Sequence, residues 1–386
     1  MAILGDYIEQ IRGVSYKPED VCTAQDKDAV AIFRANNIQD DGLNFDDLVY
    51  VKKSKVSAIQ YIKAGDIVVC ASSGSKNLVG KAAIATEDMD FSFGAFCKVV
   101  RPRKLLPSYV GHYFQSPKYR NKISELAGGA NINNIRNEHI DELDIVVPNT
   151  DEQERISIEL NKICYLISLR KQQLSKLDKL VKSRFVELFG DPMTNSNGYV
   201  LKKYGDLFEL NAGGTPSKQQ PKYWDNGSIS WIGSNMCQNT VIYENDGNYI
   251  TEEGLKHSSA RIFPVDTVLI ALVGATIGKT ALLKFETTTN QNVLGVRGIR
   301  ESGYTPEFIF HYTQGLYQKF LNIGDGGFAM ASKGFISELP VPVVDLALQE
   351  QFAAFVEQTD KSKLAVQQSL EKLETLKKSL MQQYFG

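Results

Sequence analysis

The sequence predicts an α+β protein. Two duplicated mixed α/β domains are joined by two long helices that form an antiparallel coiled coil, with pseudo-two-fold symmetry. The first observation is an internal repeat, since LGDYIE at 4–9 returns as YGDLFE at 204–209. The second is that each copy ends in a long segment with coiled-coil periodicity. The third is a composition that is 43% hydrophobic and 23% charged over 386 residues, enough for two globular cores.

The repeat keeps its register along the chain. GKAA at 80–83 returns as GKTA at 278–281, a shift of 198 (278 − 80). The stretch that begins at Gly128 returns at Gly324, a shift of 196 (324 − 128). Asp66 in GDIVVCA aligns with Asp266 in VDTVLIA at a shift of 200 (266 − 66). So small a drift predicts two copies of one structural unit.

Each copy begins with about 150 residues of mixed structure. Runs rich in β-forming residues, such as IVVC at 67–70, alternate with clusters of Gly, Ser, Asn and Asp, and helices are predicted over 109–126 and 306–322. We therefore predict a first mixed domain at 1–149, a central helix at 150–190, a second mixed domain at 191–344 and a C-terminal helix at 345–386.

Both helical segments have the apolar spacing of a coiled-coil seam. Apolar residues recur at alternating steps of four and three, with Arg170 and Arg184 as interruptions. A period near 3.5 residues predicts two helices that pack together, antiparallel because a compact domain separates them. The predicted seam residues are Ile156, Leu160, Ile163, Ile167, Leu174, Leu177, Val181, Leu188, Phe352, Val356, Val366, Leu370, Leu373 and Leu380.

Composition argues against several classes of protein. No apolar run approaches the roughly 18 residues needed to cross a bilayer, and the first ten residues lack the pattern of a signal peptide. The five scattered cysteines form no CxxC pair, which predicts neither a zinc site nor a disulfide framework. We expect a cytoplasmic protein without a membrane partner. A net charge of −2 leaves a nucleic-acid partner open, because local clustering of charge decides that.

Several motifs of the second domain resemble a known family. GGTPS at 213–217, YW at 223–224, VGATIGK at 273–279 and NQNV at 290–293 are similar to stretches in the recognition domains of type I restriction-modification specificity subunits. The two helical segments resemble that family's conserved helices, each introduced by a proline and a Gln-Glu pair. The resemblance covers essentially the whole chain, although the first domain matches less distinctively.

The resemblance implies a specificity subunit without a catalytic centre, part of a DNA methyltransferase and restriction endonuclease complex that defends against foreign DNA. Each domain would read one half of a bipartite target in double-stranded DNA. The paired helices would fix the spacing and dock two methyltransferase subunits, and through them a restriction/translocase subunit. No cofactor would bind to this chain, since S-adenosylmethionine, ATP and Mg²⁺ would belong to the partner subunits.

Candidate DNA contacts are basic and amide side chains in the Gly-, Ser- and Asn-rich loops. Lys and Arg neutralise phosphates, whereas Arg, Lys, Asn, Gln, Ser and Thr read base edges in the major groove. Such loops are also often simple turns, and the amides at 290–292 equally fit a buried polar network. The predicted DNA-binding residues are Arg34, Asn36, Asn37, Ser73, Ser75, Lys76, Asn77, Arg101, Arg103, Lys218, Ser234, Asn235, Thr276, Lys279, Asn290, Gln291, Asn292 and Lys333.

Two short motifs imitate enzyme signatures. GATIGKT at 274–280 has three residues rather than four between its first glycine and Gly-Lys, so it does not match a phosphate-binding loop. SGSK at 73–76 lacks the companion motifs of penicillin-binding enzymes. Two alternatives to the leading interpretation remain: a coiled-coil scaffold whose end domains bind protein, and a specificity subunit of another restriction-modification type.

Overall fold

The computed structural model describes residues 1–75, 77–126, 133–299, 303–323 and 330–386. The chain divides into two compact units, of which the first comprises 1–173 with 366–386 and the second comprises 174–365. Each unit therefore contains one mixed domain and part of each long helix.

The described residues form ten α-helices, and the two longest have 40 residues each. Neither long helix contains glycine or proline, so no residue breaks its hydrogen-bond ladder. The helix predicted over 109–126 is two helices, because Pro117 begins a new one after Ser116. The helices are α1 (Pro107–Gln115), α2 (Pro117–Leu126), α3 (Asn137–Asp141), α4 (Thr150–Phe189), α5 (Tyr204–Leu207), α6 (Glu252–Lys256), α7 (Pro306–Gly315), α8 (Tyr317–Leu321), α9 (Lys333–Ser337) and α10 (Leu346–Phe385).

Short 3₁₀ helices connect many of the strands. They lie at Leu4–Tyr7, Pro18–Asp20, Ala35–Asn37, Lys53–Lys55, Ala58–Gln60, Pro221–Tyr223, Ser234–Met236 and Gly274–Thr276.

The first domain is built on two four-stranded sheets. One is antiparallel in the order β10-β8-β12-β2, and the other has the order β11-β4-β7-β3 with β11 parallel to β4. The strands are β1 (Ala2–Ile3), β2 (Ile8–Arg12), β3 (Val21–Cys22), β4 (Ala29–Phe33), β5 (Ile38–Gln39), β6 (Gly42–Leu43), β7 (Val49–Lys52), β8 (Ile67–Cys70), β9 (Ser72–Ser73), β10 (Ala82–Ile84), β11 (Phe91–Phe93), β12 (Cys97–Pro102), β13 (Asn133–Asn134) and β14 (Asp144–Ile145).

The second domain repeats this plan. Its main sheet has the order β16-β24-β21-β22-β18, and its second sheet has the order β19-β17-β23-β20. The strands are β15 (Leu201–Lys203), β16 (Phe208–Ala212), β17 (Ile229–Ile232), β18 (Thr240–Ile242), β19 (Tyr249–Ile250), β20 (Ile262–Phe263), β21 (Val268–Ala271), β22 (Thr280–Leu283), β23 (Thr287–Thr289), β24 (Val293–Gly298) and β25 (Pro340–Pro342).

The predicted duplication is confirmed strand by strand. β2, β8, β10 and β12 correspond to β16, β21, β22 and β24, and they pair in the same order. The main sheet is buried on both faces, as β8 shows: Ile67 and Val69 pack with the helices, whereas Val68 and Cys70 pack with the second sheet. Each domain thus has a helix layer, a main sheet and a second sheet.

One detail of the repeat alignment is wrong. Cys97 pairs with Cys70 in the first domain, and Val293 pairs with Ala271 in the second, so Asp66 corresponds to Thr267 rather than to Asp266. Asp266 instead takes the place of Gly65. Both residues have a positive φ, 65° and 85°, in the turn that enters the strand. The sequence match of two aspartates therefore hid a shift of one residue.

In the first unit, the start of α4 packs antiparallel to the end of α10. The side chain of Arg170 donates to Ser369 Oγ at 3.1 Å, and the Tyr384 hydroxyl donates to Glu159 at 2.6 Å. The predicted seam residues Ile156, Leu160, Ile163, Ile167 and Leu380 are buried together here, with Leu370 and Leu373 partly buried against them.

In the second unit, the end of α4 packs antiparallel to the start of α10. Lys363 forms an ion pair with Asp178 at 2.7 Å, and the rings of Phe185 and Phe352 lie 5.3 Å apart. The predicted seam residues Val181, Phe352 and Val356 are buried in the domain core, and Leu188 packs against it. Val366, in the first unit, is buried as well, whereas Leu174 and Leu177 are half-buried.

The seam prediction missed a second buried stripe. Phe185, Phe189 and Phe385 are each at most 3% exposed and face the domain helices. The Phe189 and Phe308 rings lie 4.9 Å apart, and the Phe385 and Tyr109 rings lie 5.2 Å apart. Each long helix therefore buries a wider face than a two-stranded coiled coil requires, because it also forms part of a domain core.

A buried glutamine attaches each long helix to its domain. Gln153 Oε1 accepts a hydrogen bond from the Leu106 amide, and Gln349 Oε1 accepts one from the Thr305 amide, both at 3.0 Å. These amides lie at the N-termini of α1 and α7, where backbone N–H groups lack intrahelical partners. This explains the glutamine of the Gln-Glu pair in both helices.

Candidate nucleic-acid interface

Several loops of the second domain meet at one end of its main sheet. The Gly214 amide donates to Thr289 O at 2.8 Å, and the Leu272 amide donates to Asn292 O at 2.8 Å. The Asn290 amide donates to Ile232 O at 3.1 Å. These bonds join loops that follow β16, β17, β21 and β23. We call this surface the second loop edge; its residues are 213–218, 233–236, 272–279, 290–292 and 330–333.

Close backbone packing explains the glycines of this edge. A Cβ on Gly213 would lie 2.1 Å from Thr289 Oγ1, and a Cβ on Gly214 would lie 2.3 Å from the Ser259 carbonyl carbon. The Trp231 indole N–H donates to Gly214 O at 3.0 Å, so this tryptophan supports the loop. The GGTPS motif is therefore a packing motif that brings polar neighbours to the surface.

The structure brings the predicted residues of the second domain to this edge. Those with exposed side chains are Lys218, Asn235, Gln291 and Lys333. Others are partly used within the loops: Asn290 Oδ1 accepts from the Asn292 amide at 3.0 Å, and Lys279 donates to Gln238 Oε1 at 3.0 Å. The remaining predicted residues of the edge, Ser234, Thr276 and Asn292, are half-buried.

The first domain has an equivalent edge at the same end of its main sheet. The Ala71 amide donates to Phe96 O at 2.9 Å, as Leu272 does to Asn292, and the Ile135 amide donates to Ala71 O at 2.8 Å. We call this surface the first loop edge; its residues are 12–16, 34–37, 71–75, 77, 94–96 and 133–136. The predicted residues Arg34, Asn36, Asn37, Ser73, Ser75 and Asn77 lie on it, and Lys76 lies outside the described residues.

Part of the first loop edge is held by its own hydrogen bonds. Asn37 is 1% exposed, and its side chain accepts from the Arg34 amide at 2.8 Å and donates to Asp46 O at 2.7 Å. The Arg34 guanidinium pairs with Asp47 at 2.8 Å. Asn36, Ser75 and Asn77 are exposed and present polar groups outward. Asn37 therefore shapes the loop, and its neighbours form the surface.

Two predicted residues lie at the opposite end of the sheet. Arg101 pairs with Glu9 along β12, four residues beyond the loop edge. Its guanidinium binds both carboxylate oxygens of the buried Asp66, each at 2.7 Å, and Arg103 pairs with Glu9. The hydrogen bonds with Asp66 raise the pKa of Arg101. The structure thus separates Arg101 and Arg103 from the other predicted contacts.

Three exposed residues of the first loop edge escaped the sequence prediction: Arg12, Phe96 and Arg136. Within the described ranges, neither arginine forms an ion pair, so both are available to an anionic partner such as phosphate. The sequence carried little signal for them, because a single arginine at a strand end and a single phenylalanine between strands are common.

Within the described part of the chain, no group of three His, Cys, Asp or Glu side chains is arranged to hold a metal ion. None of the described helices combines the length and apolar character needed to span a membrane.

A family model described as the type I restriction modification DNA specificity domain matches the chain twice, over residues 4–179 and 197–376. The chain belongs to this family. Each match covers one domain and most of the long helix that follows it, so the family unit repeats as the fold does.

Relatives within the family show the same likeness. The type I restriction enzyme StySPI specificity subunit of Salmonella potsdam is 42% identical over 173 residues, which cover 45% of this chain and 37% of that protein. The EcoKI specificity subunit of Escherichia coli strain K12 is 41% identical over 195 residues, which cover 50% of this chain and 41% of that protein. The matched segments thus span less than half the length of these relatives.

The crystal structure of the S subunit of a type I restriction-modification system from M. genitalium has a related fold. It aligns with a TM-score of 0.59 at 16% identity and covers 100% of this chain and 95% of that one. At this identity the likeness shows the fold alone.

Proposed function

We propose that this chain is a DNA specificity subunit whose two domains, at 1–149 and 191–344, each read one half of a bipartite target in double-stranded DNA. The observation that carries the proposal is the pair of loop edges. Equivalent ends of two equivalent sheets present different exposed side chains on a shared scaffold. Such an arrangement suits two readers of different sequences, and membership of the DNA specificity family supports it.

The exposed side chains of both loop edges are of the types that contact the major groove of DNA. Exposed amides such as Asn77 and Gln291 carry donors and acceptors that match base edges, and the Gln291 oxygen also accepts a hydrogen bond from the Thr215 hydroxyl. Arg12, Lys218 and Lys333 surround them with positive charge that binds phosphates and fixes position without reading sequence. Arg101 and Arg103 have structural roles in this proposal, because their guanidinium groups pair with carboxylates far from the loop edge.

The chain itself is non-catalytic in this proposal. Two methyltransferase subunits dock on the long helices, a restriction/translocase subunit joins them, and S-adenosylmethionine, ATP and Mg²⁺ bind to those cytoplasmic partners. Exposed apolar residues on the helices support docking: Ile158 is 67% and Tyr165 is 63% exposed in the first unit, and Leu364 is 55% exposed in the second.

Methylome sequencing tests this function. Cells that express the partner methyltransferase subunit with this chain should acquire a methylated motif of two defined halves around a fixed gap, and cells without the chain should not. Gln291→Ala should change one half of the motif, and Asn77→Ala the other. Lys202→Ala, exposed on β15 away from the loop edge, should change neither.

Two results would contradict this proposal. Absence of any new methylation from soluble, co-purifying subunits would contradict the proposed function. A single variant that altered both halves would contradict the assignment of one half to each domain.

A further inference from the structure

Phe96 is the most exposed aromatic side chain of the described residues, at 70%. It lies on the first loop edge, in the turn between β11 and β12. An isolated exposed aromatic residue is common on protein surfaces, so exposure alone says little. Two further observations suggest a role for Phe96: the backbone that holds it, and the residue at the equivalent position of the second domain.

The turn that carries Phe96 is held firmly. Its carbonyl oxygen accepts hydrogen bonds from the Ala71 and Ser72 amides at 2.9 and 3.0 Å. The Cys97 amide donates to Gly94 O at 2.8 Å, and Cys97 itself is buried. The backbone therefore directs this ring outward and leaves it little freedom to fold back onto the domain.

The surroundings of the ring are polar. Ser72 and Ser73 form a strand beside it, and Arg12 and Arg136 are exposed on the same edge. In the second domain the equivalent position is Asn292, whose carbonyl oxygen accepts from the Leu272 amide at 2.8 Å. One scaffold position thus carries a ring in one domain and an amide in the other.

A phenylalanine and an asparagine at this position would contact different groups on the base edges. In the major groove thymine alone presents an apolar group, its 5-methyl, and phenylalanine is one of the side chains that contact it. We propose that Phe96 is a specificity-determining residue of the first domain and recognises the 5-methyl group of a thymine in its half of the target. This inference rests on the proposed function and names one base that the site reads.

The test uses the full chain in complex with its methyltransferase subunits, on duplexes that carry the motif found by methylome sequencing. Each thymine of the first half is replaced in turn by uracil, which lacks only the methyl group. At one thymine the replacement should weaken binding about fourfold, the change expected for one buried methyl group. Phe96→Ala should bind the thymine and uracil duplexes equally, and Phe96→Leu should keep a preference for thymine.

The control variant is Ile3→Ala. Ile3 is 48% exposed on β1, which pairs with β14 and is not part of the first loop edge, and its truncation should preserve the thymine preference. The inference is overturned if Phe96→Ala keeps that preference, or if the first half contains no thymine on either strand. Equal loss of affinity for both duplexes would also overturn it and indicate a ring that wedges between base steps.

Failure of the inference differs from failure of the proposed function. If Gln291→Ala still changes the second half of a methylated motif, the chain is a specificity subunit and only the role of Phe96 is wrong. If no motif appears, the proposed function fails first.

Discussion

The two domains fill one equivalent place with opposite chemistry. In the first domain Lys98 Nζ donates to Gln10 Oε1 at 2.9 Å and to Asn137 Oδ1 at 2.8 Å. In the second domain the strand positions of Lys98 and Gln10 are occupied by Leu294 and Leu210, which lie in the apolar core. Identical strand pairing therefore supports either a polar network or plain hydrophobic packing.

The difference teaches that this fold is specified by strand order and burial rather than by particular residues. A buried charge is costly unless hydrogen bonds satisfy it, and burial lowers the pKa of Lys98 to about 8. The first domain uses this network to join β2 and β12 to α3, the helix that follows the loop edge at 133–136. The second domain joins the same elements by apolar contact.

The largest effect is expected when the charge is moved to the domain that lacks its partners. Leu294 is fully buried, so Leu294→Lys places an amine among apolar side chains and should lower the free energy of unfolding by more than about 4 kcal/mol. Hydrogen exchange of the β16 and β24 amides under increasing denaturant measures it. Leu294→Met, which conserves volume, should cost less than about 1.5 kcal/mol. Equal protection in both variants would show that the site tolerates charge.

A second contrast concerns Asp66 and its counterpart Thr267. Asp66→Thr leaves the Arg101 guanidinium, only 12% exposed, without its carboxylate and should destabilise the first domain by about 3 kcal/mol. Thr267→Val removes one hydrogen bond to Pro264 O and should cost about 1 kcal/mol. The double change Asp66→Thr with Arg101→Leu should recover most of the loss. No recovery would mean that the ion pair acts through something other than charge compensation.

The network can also be removed in two steps. Gln10→Leu alone deprives Lys98 of one acceptor and should destabilise the first domain by about 1–2 kcal/mol. Adding Lys98→Leu copies the second domain and should restore stability to that of the original chain or above it. Hydrogen exchange of the β2 and β12 amides reports both variants. A double variant weaker than the single one would refute the equivalence of the two sites.

The smallest effect is a dependence on pH. The pKa of Lys98, about 8, lies below the value of 10.5 for an unperturbed lysine, so between these values the unfolded chain binds more protons than the folded chain. The contribution of Lys98 to stability therefore rises with pH across this window. Stability of the original chain relative to Lys98→Leu should be greater at pH 10 than at pH 7.5. A pH-independent difference would show that Lys98 keeps an ordinary pKa.

The sequence predicted the architecture because periodicity and repetition survive divergence. All the predicted seam residues are buried or half-buried, from Ile156 to Leu380. The direction and position of individual side chains along a strand were harder to predict. Arg101 was predicted to contact DNA together with the loop residues, yet β12 carries it to the opposite end of the sheet and turns Lys98 inward. Which end of a strand meets which loop depends on long-range pairing, which composition does not reveal.

The candidate site was predicted by residue type but not by side-chain role. Asn37 and Gln291 are both loop amides, yet one is a buried support and the other is exposed. Phe96 resembles a core residue in sequence, and only the turn that directs it outward distinguishes it. The sequence alignment matched Asp66 with Asp266 because both are aspartates, whereas the strand pairing matches Asp66 with Thr267.

The position shared by Phe96 and Asn292 has a consequence for how such proteins diversify. The described hydrogen bonds of that residue come from its backbone: its carbonyl oxygen accepts from Ala71 or Leu272, and the Asn292 amide donates to Asn290 Oδ1. A substitution there should leave these backbone bonds in place while it changes the side chain presented at the loop edge. Under the proposed function, a change of one codon at this position alters one letter of the target while the backbone bonds of the loop remain.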